Sequence, residues 1–357
     1  MAKLPVYCSV GFLSALYAYV DKPIIDWLED DETDNIKKLY KLIHKEAEVL
    51  LDAPITEYLS ASSPNYNPHF KKLLKGGNVP IIAKEDFEQI NAGSTVFFSE
   101  QFSPSALLFT NHTEADANVL EQKFGVMVFT PSEITKTGFL FQNQLELFVK
   151  GKKKTWDFIK AFQHPFNAMV ISDAYLLCKK ESIKNLESLL LTWLPKNLSI
   201  PFDLTIISDR DSKSLPSDIE KIKNELTVLL KKNFQYEINI SIIISKIHDR
   251  NLITNYLWCS SGYGFELIAN GESCRDTHMA IVPVTHIASE KGSYKLKSIE
   301  PLSNSSALDL YTSLRDQFSN INNKTPQSLG LLAYTAGSKK NRLFNSKGSV
   351  TLKEVAV

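Results

Sequence analysis

The residues of this chain best suited to chemistry stand between His248 and Gly264, in the run HDRNLITNYLWCSSGYG. The opening spacing is H-x-R-x4-N, from His248 through Arg250 to Asn255. A guanidinium such as that of Arg250 can grip a phosphate in a bidentate fork. His248, Asn255, Ser260 and Ser261 add polar side chains, and the Gly262-Tyr263-Gly264 turn can aim backbone N–H groups at an anion. The chemistry in view is recognition of a phosphate ester, with cleavage as its extension. A plainer reading stands beside it, in which His248, Asp249 and Arg250 form a buried hydrogen-bonded network that fixes a strand end. Asp249 points to the face opposite its neighbour in an extended segment and need not meet a ligand.

The elements that must hold these residues read as alternating strands and helices, the pattern of an α/β protein. Residues 237–247 are apolar at nearly every position, which predicts a central strand ending at His248. Ligand-binding groups of open α/β sheets gather at strand ends, so the motif stands where a site belongs. Upstream, strands are expected over 168–172, running into Asp173-Ala174-Tyr175, and over 203–208, with helices over 181–194 and 217–232. A helix is expected over 306–318, and from Asn320 the chain turns polar and basic, as a flexible tail would. In the first half the expected strands cover 6–10, 48–51, 79–82, 95–98, 107–110 and 126–129. The expected helices there cover 35–45, 54–60, 70–74 and 113–124.

The sequence blocks VISDAYLL, LTIISDRD and INISIIISKIHDRNLITNYLWCSSGYGFEL, over about residues 165–285, resemble a phospholipase D-like domain. The HDR spelling is closest to the non-catalytic type at the C-terminus of MIT-domain proteins. In catalytic relatives two such motifs meet face to face: one His attacks phosphorus, the other protonates the leaving oxygen, and basic side chains hold the phosphate. The resemblance implies that His248 is the nucleophile or general acid, Arg250 the phosphate clamp, and Asn255 the replacement for an orienting carboxylate. A neutral amide cannot stabilise a developing imidazolium, and the comparable change in a serine-protease triad costs on the order of 10⁴ in rate. The other H-x-K of the chain, His69-Phe-Lys71, reads as part of a loop and has Gly76 where an acid is required. Catalysis therefore requires a homodimer that pairs His248 with its symmetry mate.

Over about residues 4–133 the order of elements, with Thr110-Asn111-His112 closing a late strand before a helix and FGVMVFTP, resembles PIN-like nuclease domains. Active members gather carboxylates around divalent metal at strand ends. Here Ser9 and Asn111 stand where acids are expected, leaving Glu57 and Asp116, so the metal site is expected to be incomplete. The plainer and preferred reading of Glu57 is a solvated helix residue. The acidic run from Asp26 to Asp34 matches no calcium loop and reads as a linker.

Composition sets the frame. The chain has 357 residues, 43% of them hydrophobic, enough for two ordinary domains. We expect an N-terminal PIN-like domain over 1–149, a phospholipase D-like domain with a mixed sheet over 150–322, and a polar, basic tail over 323–357. No apolar run reaches the ~20 residues of a membrane span. The first residues lack a signal-peptide cleavage pattern. Cys8, Cys178, Cys259 and Cys274 have no metal or disulfide spacing, so reduced thiols and a cytoplasmic address are expected. No cofactor is expected. The net charge is zero, but residues 1–145 hold 12 Lys+Arg against 19 Asp+Glu and the remainder is correspondingly basic. Lys152, Lys153, Lys154, Lys339, Lys340 and Arg342 are candidates for contact with RNA or DNA, and a solvated basic face is the plain alternative. The resulting expectation is a non-catalytic nucleic-acid-binding protein of a nucleic-acid processing or antiviral defence system, for which a protein partner from the same operon is a candidate. The alternatives are a homodimeric phosphodiesterase or nuclease and a phospholipid- or protein-binding adaptor.

Overall fold

The computed structural model describes residues 3–21, 30–75, 79–136, 145–149, 155–209, 216–245, 247–248, 250–265, 267–269, 272–273, 277–285, 307–324, 334–335, 341–344 and 354–355. The chain forms two compact units, Met1–Gln142 with Ser346–Val357, and Asn143–Asn345.

In the first unit, β1 (Leu4–Cys8) and β2 (Ala47–Leu51) are the central apolar runs of a parallel sheet, with Val6, Cys8, Val49 and Leu51 all buried. Between them lie α1 (Val10–Val20) and α2 (Asp30–Lys41), the latter continuing into a π-helical turn at Leu42–Glu46. Then follow α3 (Thr56–Leu59), α4 (Pro68–Lys75), β3 (Ile81–Ile82) and α5 (Lys84–Asn91). Finally come β4 (Leu107–Phe109), α6 (Glu114–Phe124) and β5 (Met127–Phe129). The five strands are parallel in the order β3-β2-β1-β4-β5, and a strand at Glu354–Val355 adds antiparallel to β3.

The second unit opens with β6 (Leu145–Val149) and a 3-10 stretch at Trp156–Phe162. Its βαβ core is β7 (Ala168–Ser172), α7 (Lys180–Trp193), β8 (Phe202–Ser208), α8 (Pro216–Asn233) and β9 (Ile238–Ile244). Antiparallel elements follow: β10 (Asn251–Thr254), β11 (Leu257–Ser261), a small ribbon of β12 (Ile268–Ala269) and β13 (Glu272–Ser273), and β14 (Thr277–Pro283). Helix α9 (Ala307–Lys324) and β15 (Tyr334–Thr335) complete the unit. The mixed sheet runs β15-β9-β8-β7-β10-β11-β14-β6, with β7, β8 and β9 mutually parallel. Every residue of β7 and β8 is buried, as central strands covered on both faces require. Asn185 of α7 fastens the helix layer: its Oδ1 accepts from Trp156 Nε1 at 3.2 Å and from the Ile268 N–H at 2.9 Å, and its Nδ2 donates to the Phe265 carbonyl.

An α/β protein in two units is thus observed, with different boundaries. The break falls at 142/143, because residues 145–149 pair with β14 in the second sheet. Of the polar, basic tail expected over 323–357, the described residues are paired or packed rather than free. Tyr334 and Thr335 extend the second sheet beside β9, Asn341 to Phe344 are buried, and Glu354 and Val355 extend the first sheet. Residues 95–98, expected as a strand, lead instead into a π-helical turn at Phe97–Gln101, and Phe98 stacks on Phe124 of α6 at 4.1 Å between ring centroids. A short apolar run does not distinguish strand from helix, and packing on α6 decided it. His69 lies not in a loop but in α4, buried, with its Nε2 2.8 Å from Asp21 Oδ1 and its Nδ1 3.1 Å from the Tyr40 hydroxyl. Cys8, Cys178 and Cys259 are thiols rather than disulfides. Among the described residues no helix is long and apolar enough to cross a membrane.

The second core contains a histidine with a measurable consequence. His164 is buried, Nδ1 2.8 Å from the Phe162 carbonyl and Nε2 2.8 Å from Thr254 Oγ1, so the neutral ring donates to the first and accepts from the second. Burial pushes its pKa from 6.5 down to about 4. Below pH 6.5 the unfolded chain takes up a proton that the folded chain refuses, so stability is complete above that pH and falls toward pH 4. The expected loss is about 3 kcal/mol over this window. Urea unfolding of the wild type and of His164→Gln at pH 7 and pH 4.5 measures it. The variant should show a flatter pH dependence, and equal slopes would refute the assignment. His44, also lowered to about 4 by burial, leaves a residual slope of the same sign.

Candidate phosphate-binding site at the carboxyl end of the second sheet

The chain leaves β9 at Ile244, and Ser245 donates its N–H to the Ser208 carbonyl at the end of β8. It then crosses the carboxyl ends of β8 and β7 to enter β10. β10 runs antiparallel to β7 with Asn251 opposite Ser172, which sets Arg250 beside Asp173. On the other side Asn251 faces Ser260, and the Ser261 N–H bonds the Arg250 carbonyl at 3.0 Å. Three strand ends therefore converge on Arg250. The expected strand over 237–247 stops at Ile244, so His248 belongs to the crossing segment rather than to a strand.

Asp173 organises this edge. Its buried carboxylate accepts the Tyr175 N–H on Oδ1 at 3.0 Å and the Phe265 N–H on Oδ2 at 2.8 Å. Arg250 donates from Nη1 to the Gly262 carbonyl at 2.6 Å. Its Nε, 3.9 Å from Asp173 Oδ1, is buried and has no hydrogen-bond partner among the described residues, while 26% of the side chain stays in solvent. The guanidinium carbon lies 5.9 Å from the ring centroid of Tyr175. His248 is exposed and makes no hydrogen bond among the described residues.

The turn after β11 is closed on itself. The Ser261 hydroxyl donates to the Gly264 carbonyl, the Gly262 N–H to the His278 carbonyl at 2.9 Å, and the Tyr263 N–H to Thr277 Oγ1 at 3.0 Å. Gly264 has φ +86, and a β-carbon there would fall 2.0 Å from Asp173 Oδ2, so glycine is required on both counts. The N–H groups of Gly262, Tyr263 and Phe265 are already engaged, so Gly262, expected to offer its backbone to an anion, has that donor in use. Ser261 is buried, and Ser260 lies half-buried on β11.

Asn255 is placed elsewhere. It follows β10, whereas Arg250 precedes it, and at ~3.3 Å per residue the strand carries Asn255 about 16 Å away. It is fully buried: Oδ1 accepts the N–H groups of Asn167 and Ala168 at 2.9 and 3.0 Å, and Nδ2 donates to Asn167 Oδ1 at 3.0 Å. Asn255 therefore holds the start of β7 rather than a phosphate. Arg342, expected on a nucleic-acid surface, is buried against Asp203, Nε to Oδ2 at 3.0 Å. Lys152, Lys153, Lys154, Lys339 and Lys340 lie outside the described residues. The residues that sequence reasoning left without a role are Tyr175, Tyr263 and Thr277; the signal for the first two was their position at a strand end and between two glycines.

In the first unit the residues weighed as remnants of a metal centre make other contacts. The Ser9 hydroxyl caps α1 by accepting the Phe12 N–H, Asp52 Oδ1 accepts the Val10 N–H at 2.8 Å, and Asp116 receives the Thr113 hydroxyl at the start of α6. Glu57 is exposed in the first turn of α3. Among the described residues no group of three His, Cys, Asp or Glu side chains is placed to hold a metal ion.

Fold and site together define a two-unit α/β protein with a basic and aromatic site at the strand ends of a mixed sheet. In comparison with known proteins, the chain matches no family model and no curated protein.

Proposed function

We propose that the second unit binds the phosphate backbone of nucleic acid through Arg250 and does not turn it over. The observation that carries this reading is the guanidinium held by the Gly262 carbonyl at the sheet edge, partly in solvent, with the exposed His248 two residues before it in the chain. The exposed Lys179 and Lys180, at the start of α7 directly after the Tyr175 turn, add positive charge to the same edge. The resemblance to phospholipase D-like domains of the non-catalytic type agrees with Asn255 serving the core. That resemblance, with the weaker resemblance of the first unit to PIN-like domains, points to nucleic-acid processing or antiviral defence as the setting.

Fluorescence anisotropy with labelled RNA and DNA, in about 50 and 200 mM salt, tests the reading, because backbone binding weakens steeply with salt. Arg250→Ala is expected to weaken binding by roughly 10- to 100-fold, the worth of a charged hydrogen-bonding contact, and Arg250→Lys by less. Absence of binding at the lower salt would sink it. Binding of anionic liposomes in preference to either nucleic acid would favour a phospholipid adaptor instead. A second reading rests on the exposure of His248, which leaves its ring available to a second copy of the chain. A dimeric mass in solution and metal-independent cleavage abolished by His248→Ala would establish that homodimeric phosphodiesterase.

A further inference from the structure

We infer that the Arg250 site takes single-stranded nucleic acid, with the rings of Tyr175 and Tyr263 as stacking platforms for unpaired bases. The inference rests on the phosphate-binding reading and narrows it. Tyr175 and Tyr263 are 56% and 57% exposed, the two most exposed aromatic side chains among the described residues. Both belong to this one edge. Arg250 lies over the Tyr175 ring and bonds the carbonyl of Gly262, and a β-carbon on Gly264 would fall 3.2 Å from Arg250 Cδ, so Tyr263 sits between two residues that both meet Arg250.

Neither ring is displayed from a loose loop. The Tyr175 N–H is held by Asp173 Oδ1 and the Tyr175 carbonyl by the Cys178 N–H. Tyr263 is tied through its own N–H to Thr277 and through its neighbours to His278 and Asp173. One buried carboxylate, Asp173, thereby fixes the backbone under both tyrosines. Rigid backbone carrying exposed aromatic rings lowers the entropy lost on binding a flat ligand. The faces of bases are available in a single strand and already stacked in a duplex, so aromatic platforms beside a cation select the single strand. The internal bonding of the 261–265 turn points the same way. With the N–H groups of Gly262, Tyr263 and Phe265 engaged, the turn's main offering to a ligand is the Tyr263 ring.

The test compares an oligothymidine and an oligouridine of about 10 nucleotides with a duplex of similar length, using the full chain at low salt. Tyr175→Ala and Tyr263→Ala should each weaken single-strand binding by roughly 5- to 100-fold, whereas Tyr175→Phe and Tyr263→Phe should stay near wild type. Duplex binding, being electrostatic, should respond to Arg250→Ala and not to the tyrosine changes. If duplex binds as tightly as single strand, or if the Ala variants match wild type while Arg250→Ala weakens binding, the inference fails and the backbone-binding reading stands. If wild type binds neither form, both fail. Because both side chains are mainly exposed, matching thermal melts of the Ala variants are expected; a melt lowered equally in the Phe variants would assign the rings a structural role and overturn the inference.

Discussion

Asn255→Asp, which supplies the acid missing from the H-x-R-x4-N spelling, is expected to destabilise the protein and to produce no cleavage. The residue is fully buried, with two backbone N–H groups on Oδ1 and Nδ2 donating to Asn167 Oδ1. An ionised carboxylate keeps the two acceptor bonds but sets an oxygen against the Asn167 oxygen and buries an unpaired charge. The expected loss is about 3–5 kcal/mol at neutral pH. A protonated carboxyl can donate to Asn167 as the amide does, so the defect should shrink as pH falls. Asn255→Ala orphans the N–H groups of Asn167 and Ala168 and should cost about 3 kcal/mol at any pH. Urea unfolding of both variants at pH 7 and pH 5 reads these effects. A stable Asn255→Asp protein that gained phosphodiesterase activity would show that the residue does reach His248.

The second large effect concerns Arg342. Its side chain donates from Nε to Asp203 Oδ2 at 3.0 Å and from Nη2 to the Pro201 carbonyl at 2.6 Å, and its N–H reaches the same Asp203 oxygen at 3.0 Å. The preceding Asn341 donates through Nδ2 to the Met169 and Asp203 carbonyls and to Thr205 Oγ1. This segment locks the starts of β7 and β8. Arg342→Ala strands a buried carboxylate, with Asn239 and the Arg342 N–H left to satisfy it, and should cost about 3–5 kcal/mol. Asp203→Asn keeps one accepting oxygen, gives up the other and leaves the buried Arg342 without its counter-charge, so it should cost a comparable amount. A double variant, Arg342→Ala with Asp203→Asn, should lose less than the two single changes together. Nucleic-acid affinity of the folded protein should not change. Weakened binding at unchanged stability is the result that would return Arg342 to the surface.

Local periodicity was sufficient for most elements. The leucines of α7, the apolar run of β8 and the strand β2 appear within about a residue of their expected bounds, because helix and strand periods write themselves into the chain. Ambiguity remained where the signal was short or charged. Phe97 and Phe98 carry no period, and their conformation follows the aromatic packing on Phe124. Asn341 and Arg342 look like tail residues because their partners, Asp203, Thr205 and Met169, are remote in sequence. A buried polar side chain is recognisable only through the groups that satisfy it.

The same division runs through the site. The sequence by itself determined that His248 and Arg250 follow an apolar strand in the basic half of the chain, and that a turn at Gly262-Tyr263-Gly264 lies shortly after them. Only the tertiary structure decided which of those residues share a site. Antiparallel entry of β10 beside β7 brought Arg250 to Asp173 and Tyr175, while the length of β10 carried Asn255 into the core. Hydrogen bonds from Gly262, Tyr263 and Phe265 to distant partners then used the turn's donors and left its tyrosine outward. The reason is physical: residue type and spacing set what a group can do, but strand pairing and the satisfaction of buried polar groups set where it is and what it has left to offer.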